Sequence, residues 1–110
     1  MNTGWAEELQ SVPNLDTQLK LLSRRERRLV LRELLLDGDP FEVADVLDEE
    51  TAESEQVTYE HDHLPKLESA GYIEWNRLTG QIARGPQFRE IVPLLELLEE
   101  HADELPTDWP

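Results

Sequence analysis

The chain contains no cysteine among its 110 residues, only one methionine, and 6% aromatic residues. Without cysteine there is no disulfide framework, no thiol nucleophile and no cysteine-based zinc site. Cations are scarce as well: eight arginines and two lysines, Lys20 and Lys66, stand against 25 carboxylates, for a formal net charge of -15. That balance excludes a generic cationic nucleic-acid binder. No run approaches the roughly 20 apolar residues of a membrane span. The N-terminal MNTGWAEELQ also lacks the basic-then-apolar layout of a secretory signal. The expectation is a cytoplasmic protein without membrane contact.

What the sequence does hold is 38% hydrophobic and 32% charged residues in a length suited to one domain. The carboxylates run along the whole chain rather than gathering in one tail, which describes a solvated anionic coat. Such a coat keeps a protein soluble in concentrated salt, where at about 1 M the Debye length falls to about 3 Å. The charge therefore points to a halophilic interior. By segment, residues 16–36 carry +3, residues 37–71 carry -11 (12 acids against Lys66), the hairpin region 72–85 carries +1 and residues from 86 onward carry -6.

Periodicity predicts the element order. Residues 1–14, with Gly4, Pro13 and Asn14, read as a flexible arm. Leu15, Leu19 and Leu22 repeat at helical spacing. Ser23 with Glu26 matches a capping box that opens a second helix over 24–36, and Asp37-Gly38-Asp39-Pro40 ends it. A short third helix is predicted over 41–50 and a fourth over 55–70, with Val57, His61, Leu64 and Leu67 inward, a bend at Pro65 and a stop at Gly71. Alternation in 72–76 and 81–84 around Gly80 predicts a two-stranded hairpin. An apolar helix is predicted over 86–104 and a frayed tail over 105–110. The fold class expected is mainly α with a two-stranded β-hairpin, a winged helix-turn-helix over residues 15–104.

Residues 15–84 also resemble a haloarchaeal family of small winged-helix domains, distantly similar to ArsR-type transcriptional regulators. The resemblance rests on Leu15-Asp16, Leu21-Leu22-Ser23-Arg24-Arg25, Arg27-Arg28, His61-Asp62-His63-Leu64-Pro65-Lys66-Leu67 and Ala70-Gly71-Tyr72-Ile73-Glu74. It implies a homodimeric DNA-binding regulator of a halophilic archaeon, with the fourth helix in the major groove. In that reading Thr58, Tyr59, Asp62 and Lys66 present the recognition face. Arg24 and Arg25 at a helix start, and Arg77 and Arg84 on the hairpin, contact phosphates of double-stranded DNA. The arginines have a second reading as partners of nearby carboxylates, such as Arg24 with Glu26 or Arg28 with Glu33.

The last helix holds more leucine than a surface stripe needs, so Phe88, Ile91, Leu94, Leu95 and Leu98 are expected to form a dimer interface, as in ArsR-like relatives; the alternative is that Phe88, Ile91, Leu94 and Leu98 cap the core of a monomer. An alternative function is a protein-interaction module whose acidic face, including Glu49, Glu50, Glu53 and Glu55, docks a basic partner. No cofactor is expected. His61 and His63 lie two apart on a helix and point about 200° from each other, so they do not share a metal ion; His61 is expected inside and His63 partly exposed. Nothing resembles a nucleophile elbow, a phosphate loop or a positioned acid and base, so no enzyme is expected.

Overall fold

The computed structural model describes residues 14–45 and 57–110. Helix α1 (Leu15–Leu21) begins where the Asn14 side chain accepts the Thr17 amide at 3.2 Å, so Asn14 belongs to the folded unit rather than to an arm. Residues 1–13, including Trp5, lie outside the described residues. The helix buries Gln18 and Leu21, with Leu22 just after it, and leaves Leu15 and Leu19 exposed. The predicted leucine stripe is therefore rotated. Gln18 turns inward because its side-chain amide donates to the Glu90 carbonyl at 3.0 Å, 72 residues away.

Ser23 does not open the next helix. Its hydroxyl donates to the Lys20 carbonyl at 2.6 Å and closes α1 instead, while Arg24 stands at the start of α2 (Arg25–Leu36) without a side-chain cap. Helix α2 buries Arg27, Val30, Leu31 and Leu34 on one face. These positions follow the i, i+3, i+4, i+7 spacing of an inward stripe.

The helix expected over 41–50 is not what its first half forms. Phe41–Glu42 is a strand, β1, followed by a single 3-10 turn Val43–Asp45 in which Asp45 accepts the Glu42 amide at 2.9 Å. Phe41 and Val43 are buried and Glu42 is exposed, the period of two that a strand imposes. Residues 46–56, which hold the rest of that expectation and the polar connection after it, lie outside the described residues.

From Val57 the chain is helical, but the turn Tyr59–His63 is a π-helix that runs into α3 (Leu64–Ser69). The Leu64 amide donates to the Tyr59 carbonyl, five residues back. Pro65 supplies the cause, since it has no amide to send to the His61 carbonyl and its ring crowds that position in an α-helix. The added residue rotates the face, so Tyr59, His63, Leu64 and Leu67 are buried while Val57 and His61 face out. The expected placements of Tyr59, His61 and His63 are thus reversed. Gly71 ends the helix as predicted, at φ +82°, with the Gly71 amide on Glu68 and the Tyr72 amide on Leu67.

The hairpin joins β2 (Ile73–Trp75) to β3 (Gln81–Arg84). At its tip the Asn76 side-chain oxygen accepts the Leu78 and Thr79 amides at 2.9 and 3.2 Å, and Gly80 takes φ +79°. Strand β1 pairs with β3, Phe41 opposite Ile82 and Glu42 opposite Gln81, while Ile73, Glu74 and Trp75 oppose Arg84, Ala83 and Ile82. The sheet is therefore three-stranded and antiparallel, in the order β1-β3-β2, rather than two-stranded.

The predicted last helix is broken into a 3-10 turn Phe88–Glu90, the α-helix α4 (Val92–Glu100) and a 3-10 turn Ala102–Glu104. Val30, Leu31, Leu34, Leu64, Leu67, Ile82 and Ile91 are fully enclosed between the helices and the sheet. Each such side chain contributes about 1.5–3 kcal/mol of burial. The tail after Leu105 is not frayed: the Trp109 amide donates to the Pro106 carbonyl at 3.0 Å, and Arg25 donates to the Pro110 carbonyl at 3.1 Å. Among the described residues no helix is long and apolar enough to cross a membrane.

Candidate functional site

The residues expected on DNA divide into three groups. Thr58 and Lys66 are exposed, Asp62 is half-buried, and Lys66 grips Asp62 at 2.8 Å one helical turn away. That hydrogen bond is the main reason the Asp62 carboxyl titrates below its usual range. Tyr59, by contrast, is only 1% exposed and sits edge-on to the His63 ring, centroids 5.5 Å apart. It belongs to the interior and not to a recognition face.

Arg77 stands at the hairpin tip beside Leu78, which is 98% exposed. Its guanidinium holds both Glu68 oxygens, at 3.0 and 3.3 Å, and lies 4.3 Å over the Trp75 ring. Strand, helix and tip are thereby tied together through one side chain. Arg84 is used differently. Its Nε and Nη2 donate to the Leu34 carbonyl at 2.9 and 2.7 Å, with Leu35 at 3.4 Å, which satisfies the carbonyl end of α2. Arg84 is exposed, and these bonds engage its Nε and Nη2 within the chain. Arg24 lies 3.7 Å from Glu26, and Arg28 donates to the Leu22 carbonyl at 2.7 Å rather than pairing with Glu33.

His63 is 1% exposed, and neither ring nitrogen has a hydrogen-bond partner. Burial pushes its pKa down, against the opposing pull of Glu26 (3.9 Å) and Asp62 (3.7 Å). Among the described residues no group of three His, Asp or Glu side chains is placed to hold a metal ion.

The expected dimer set fares unevenly. Phe88, Ile91 and Leu95 are buried within a single chain, and Leu94 and Leu98 pack partly against the same core, so most of this set is internal rather than an interface. Phe88 and Ile91 lie before α4 and Leu95 on it, while Glu96 and Glu100 of α4 are exposed.

Two features escaped the sequence. Arg32 on α2 and Glu99 on α4 form a two-point contact at 2.7 and 2.9 Å. Lys20, Arg27 and Lys66 line one open groove of about 610 Å³ together with Thr17 and Ser69. Arg27 was visible as a charge inside the apolar stripe of Val30, Leu31 and Leu34, a pattern that marks a cation turned inward. No family model matches this chain, and neither a curated protein nor a solved structure does.

Proposed function

We propose that this chain is a winged-helix DNA-binding domain of a transcriptional regulator. It meets duplex DNA with the exposed side of residues 57–69 and with the hairpin tip. The observation that carries the reading is the strand order β1-β3-β2, in which the strand after α2 pairs with the return strand of a hairpin placed beside the helix of Lys66. This pairing supports the reading, since it ties the hairpin to the strand that follows α2 and leaves the tip free to reach out. Lys66 and Thr58 supply the helix contacts, and Arg77 supplies the wing contact, with Arg24 and Arg25 flanking. Exposed ion pairs contribute little, so Lys66 and Arg77 exchange Asp62 and Glu68 for phosphates at small cost. A pair of chains remains part of the proposal, since two half-sites about one helical turn apart call for two-fold symmetry. Its contact no longer rests on Phe88, Ile91 and Leu95.

Fluorescence anisotropy with a random-sequence duplex in about 1 M KCl tests the reading. Saturable binding is expected, weakened across all sequences in Lys66→Ala and Arg77→Ala, each lowering the salt slope by about 1. Absence of binding at every salt concentration removes the proposal.

One observation favours a second reading, docking of a basic protein partner. Arg24, Lys66 and Arg77 each face a carboxylate, and Arg25 and Arg84 are bonded to carbonyls. This reading calls for a nuclease-resistant protein complex that weakens when Glu49, Glu50, Glu53 and Glu55 are neutralised.

A further inference from the structure

The chain has ten cations for 25 carboxylates, so a cavity wall drawn at random from its charged residues is acidic. The groove between α1, α2 and α3 is the opposite. Among the described residues it is lined by Lys20, Arg27 and Lys66, the only two lysines of the sequence and one arginine, with Thr17, Leu21, Ser69 and Ala70 and with no carboxylate. Three separate elements supply the three cations.

Arg27 carries the argument further. It is 7% exposed, its Nε has no hydrogen-bond partner, and among the described residues it makes no ion pair. A buried guanidinium nitrogen without a partner is costly, because its lost hydration is not replaced. Desolvation accordingly pushes its pKa down, with Asp62 and Glu26 pulling the other way. Asp62 is not part of the lining and is already held by Lys66. The arginines nearby found partners in Glu26, Leu22 and Glu99, so Arg27 is the exception on its own helix. A guanidinium fork, two ammonium groups and two hydroxyls are the donor set that a phosphate group satisfies, with bidentate geometry from the arginine. The size of the groove fits a small molecule.

We propose that the groove of Lys20, Arg27 and Lys66 is a binding site for a small phosphate-bearing ligand. Arg27 forms its floor, and Lys20 and Lys66 close over the anion from α1 and α3. Ligand binding draws Lys66 away from Asp62 and so reaches the exposed face of α3. Lys66 is shared with the DNA reading, whereas Lys20 and Arg27 take no part in the proposed DNA contacts and so separate the two.

The test is a titration of the full chain with pyrophosphate and, separately, inorganic phosphate in about 1 M KCl, followed by amide chemical shifts. Saturable shifts are expected at Thr17, Lys20, Ser69 and Ala70. Affinity should fall about tenfold in Arg27→Gln and in Lys20→Gln, in keeping with the loss of a charge-assisted contact. Lys20 is exposed, so its variant keeps the fold and decides the matter if Arg27→Gln unfolds. Absence of saturable shifts overturns the site, as does equal affinity of wild type and Lys20→Gln. A third arm adds a short duplex. If the duplex competes with pyrophosphate and loses affinity in the same variants, the phosphate belongs to a DNA backbone and the small-ligand assignment falls. If pyrophosphate binds while the duplex does not, this site stands and the DNA reading fails alone.

Discussion

The Arg84 side chain places two nitrogens, Nε and Nη2, on the single carbonyl of Leu34, at 2.9 and 2.7 Å. One residue of the return strand thereby closes the end of the second helix, 50 positions earlier in the chain. The same guanidinium lies 5.1 Å from the Phe88 ring and against Gly38, where an added Cβ would stand 3.1 Å from Nη2. Gly38 has φ +86°, so the turn after α2 needs glycine for its backbone and for the space Arg84 fills.

This makes Arg84 a stability residue. Arg84→Ala should lower unfolding stability by about 2 kcal/mol, the range for charged hydrogen bonds to a carbonyl that would otherwise be orphaned. Arg84→Lys should recover less than half, because an ammonium does not reproduce the fork. Urea unfolding in concentrated KCl measures both. Unchanged midpoints would mean that these bonds add nothing to stability and leave Arg84 to the phosphate role.

His63 predicts a pH dependence. Its folded pKa lies below the ordinary 6.5, first because of burial, so the folded state binds fewer protons than the unfolded one as pH falls past that value. The stability this confers is present above about pH 6.5 and is lost as the solution is acidified toward the folded pKa. Glu26, Asp62, Arg27 and Arg24 are the charged groups that face it. His63→Leu should show a flatter stability profile between about pH 7 and pH 5 than wild type. A wild-type profile that is already flat there would mean the ring charges without penalty.

Much of this fold was legible because Gly71, Gly80 and the leucine spacing of α2 report local backbone needs that tertiary structure did not override. Where the reading failed, a distant partner decided. Phe41 and Val43 read as helix until Ile82 offered a strand to pair with, and nothing in residues 41–50 announces that. The face of residues 57–69 shifted because Pro65 opened a π-turn, which a period of 3.6 does not represent. Tyr59 moved inside and His61 outside by that one residue. For the site, exposure of Lys66 and Arg77 followed from pattern, whereas the meeting of Lys20 with Arg27 and Lys66 depends on how α1 crosses α2 and α3.

Arg32 and Glu99 join α2 to α4. The pair is partly exposed, so its coupling in a double-mutant cycle should be about 0.5–1 kcal/mol. The hydrogen bond to Arg32 is the first cause that holds the Glu99 carboxyl below its ordinary 4.5. That contribution is present above about pH 4.5 and is lost as pH drops through the lowered folded value. Arg32→Met should remove the acid-side loss along with the coupling. A cycle with zero coupling would leave the pair as surface decoration.

The anionic coat makes the opposite prediction for salt. Residues from 86 onward carry -6, and Glu96, Glu100 and Asp103 are exposed along α4 and the turn after it. Raising KCl from about 0.1 M to about 1 M shortens the screening length from about 10 Å to about 3 Å. Repulsion among these carboxylates is then screened, and so is the attraction of Arg32 for Glu99. One exposed pair contributes at most about 1 kcal/mol, whereas a net charge of -15 repels over the whole surface, so repulsion dominates and the thermal midpoint should rise with salt. The triple variant Glu96→Gln, Glu100→Gln, Asp103→Asn should start at a higher midpoint in low salt and gain less from KCl. Sodium sulfate is not a substitute in this experiment, since its exclusion from protein surfaces strengthens burial irrespective of charge. If wild type and triple variant rise in parallel with KCl, the salt response comes from that general effect and not from the carboxylates of α4.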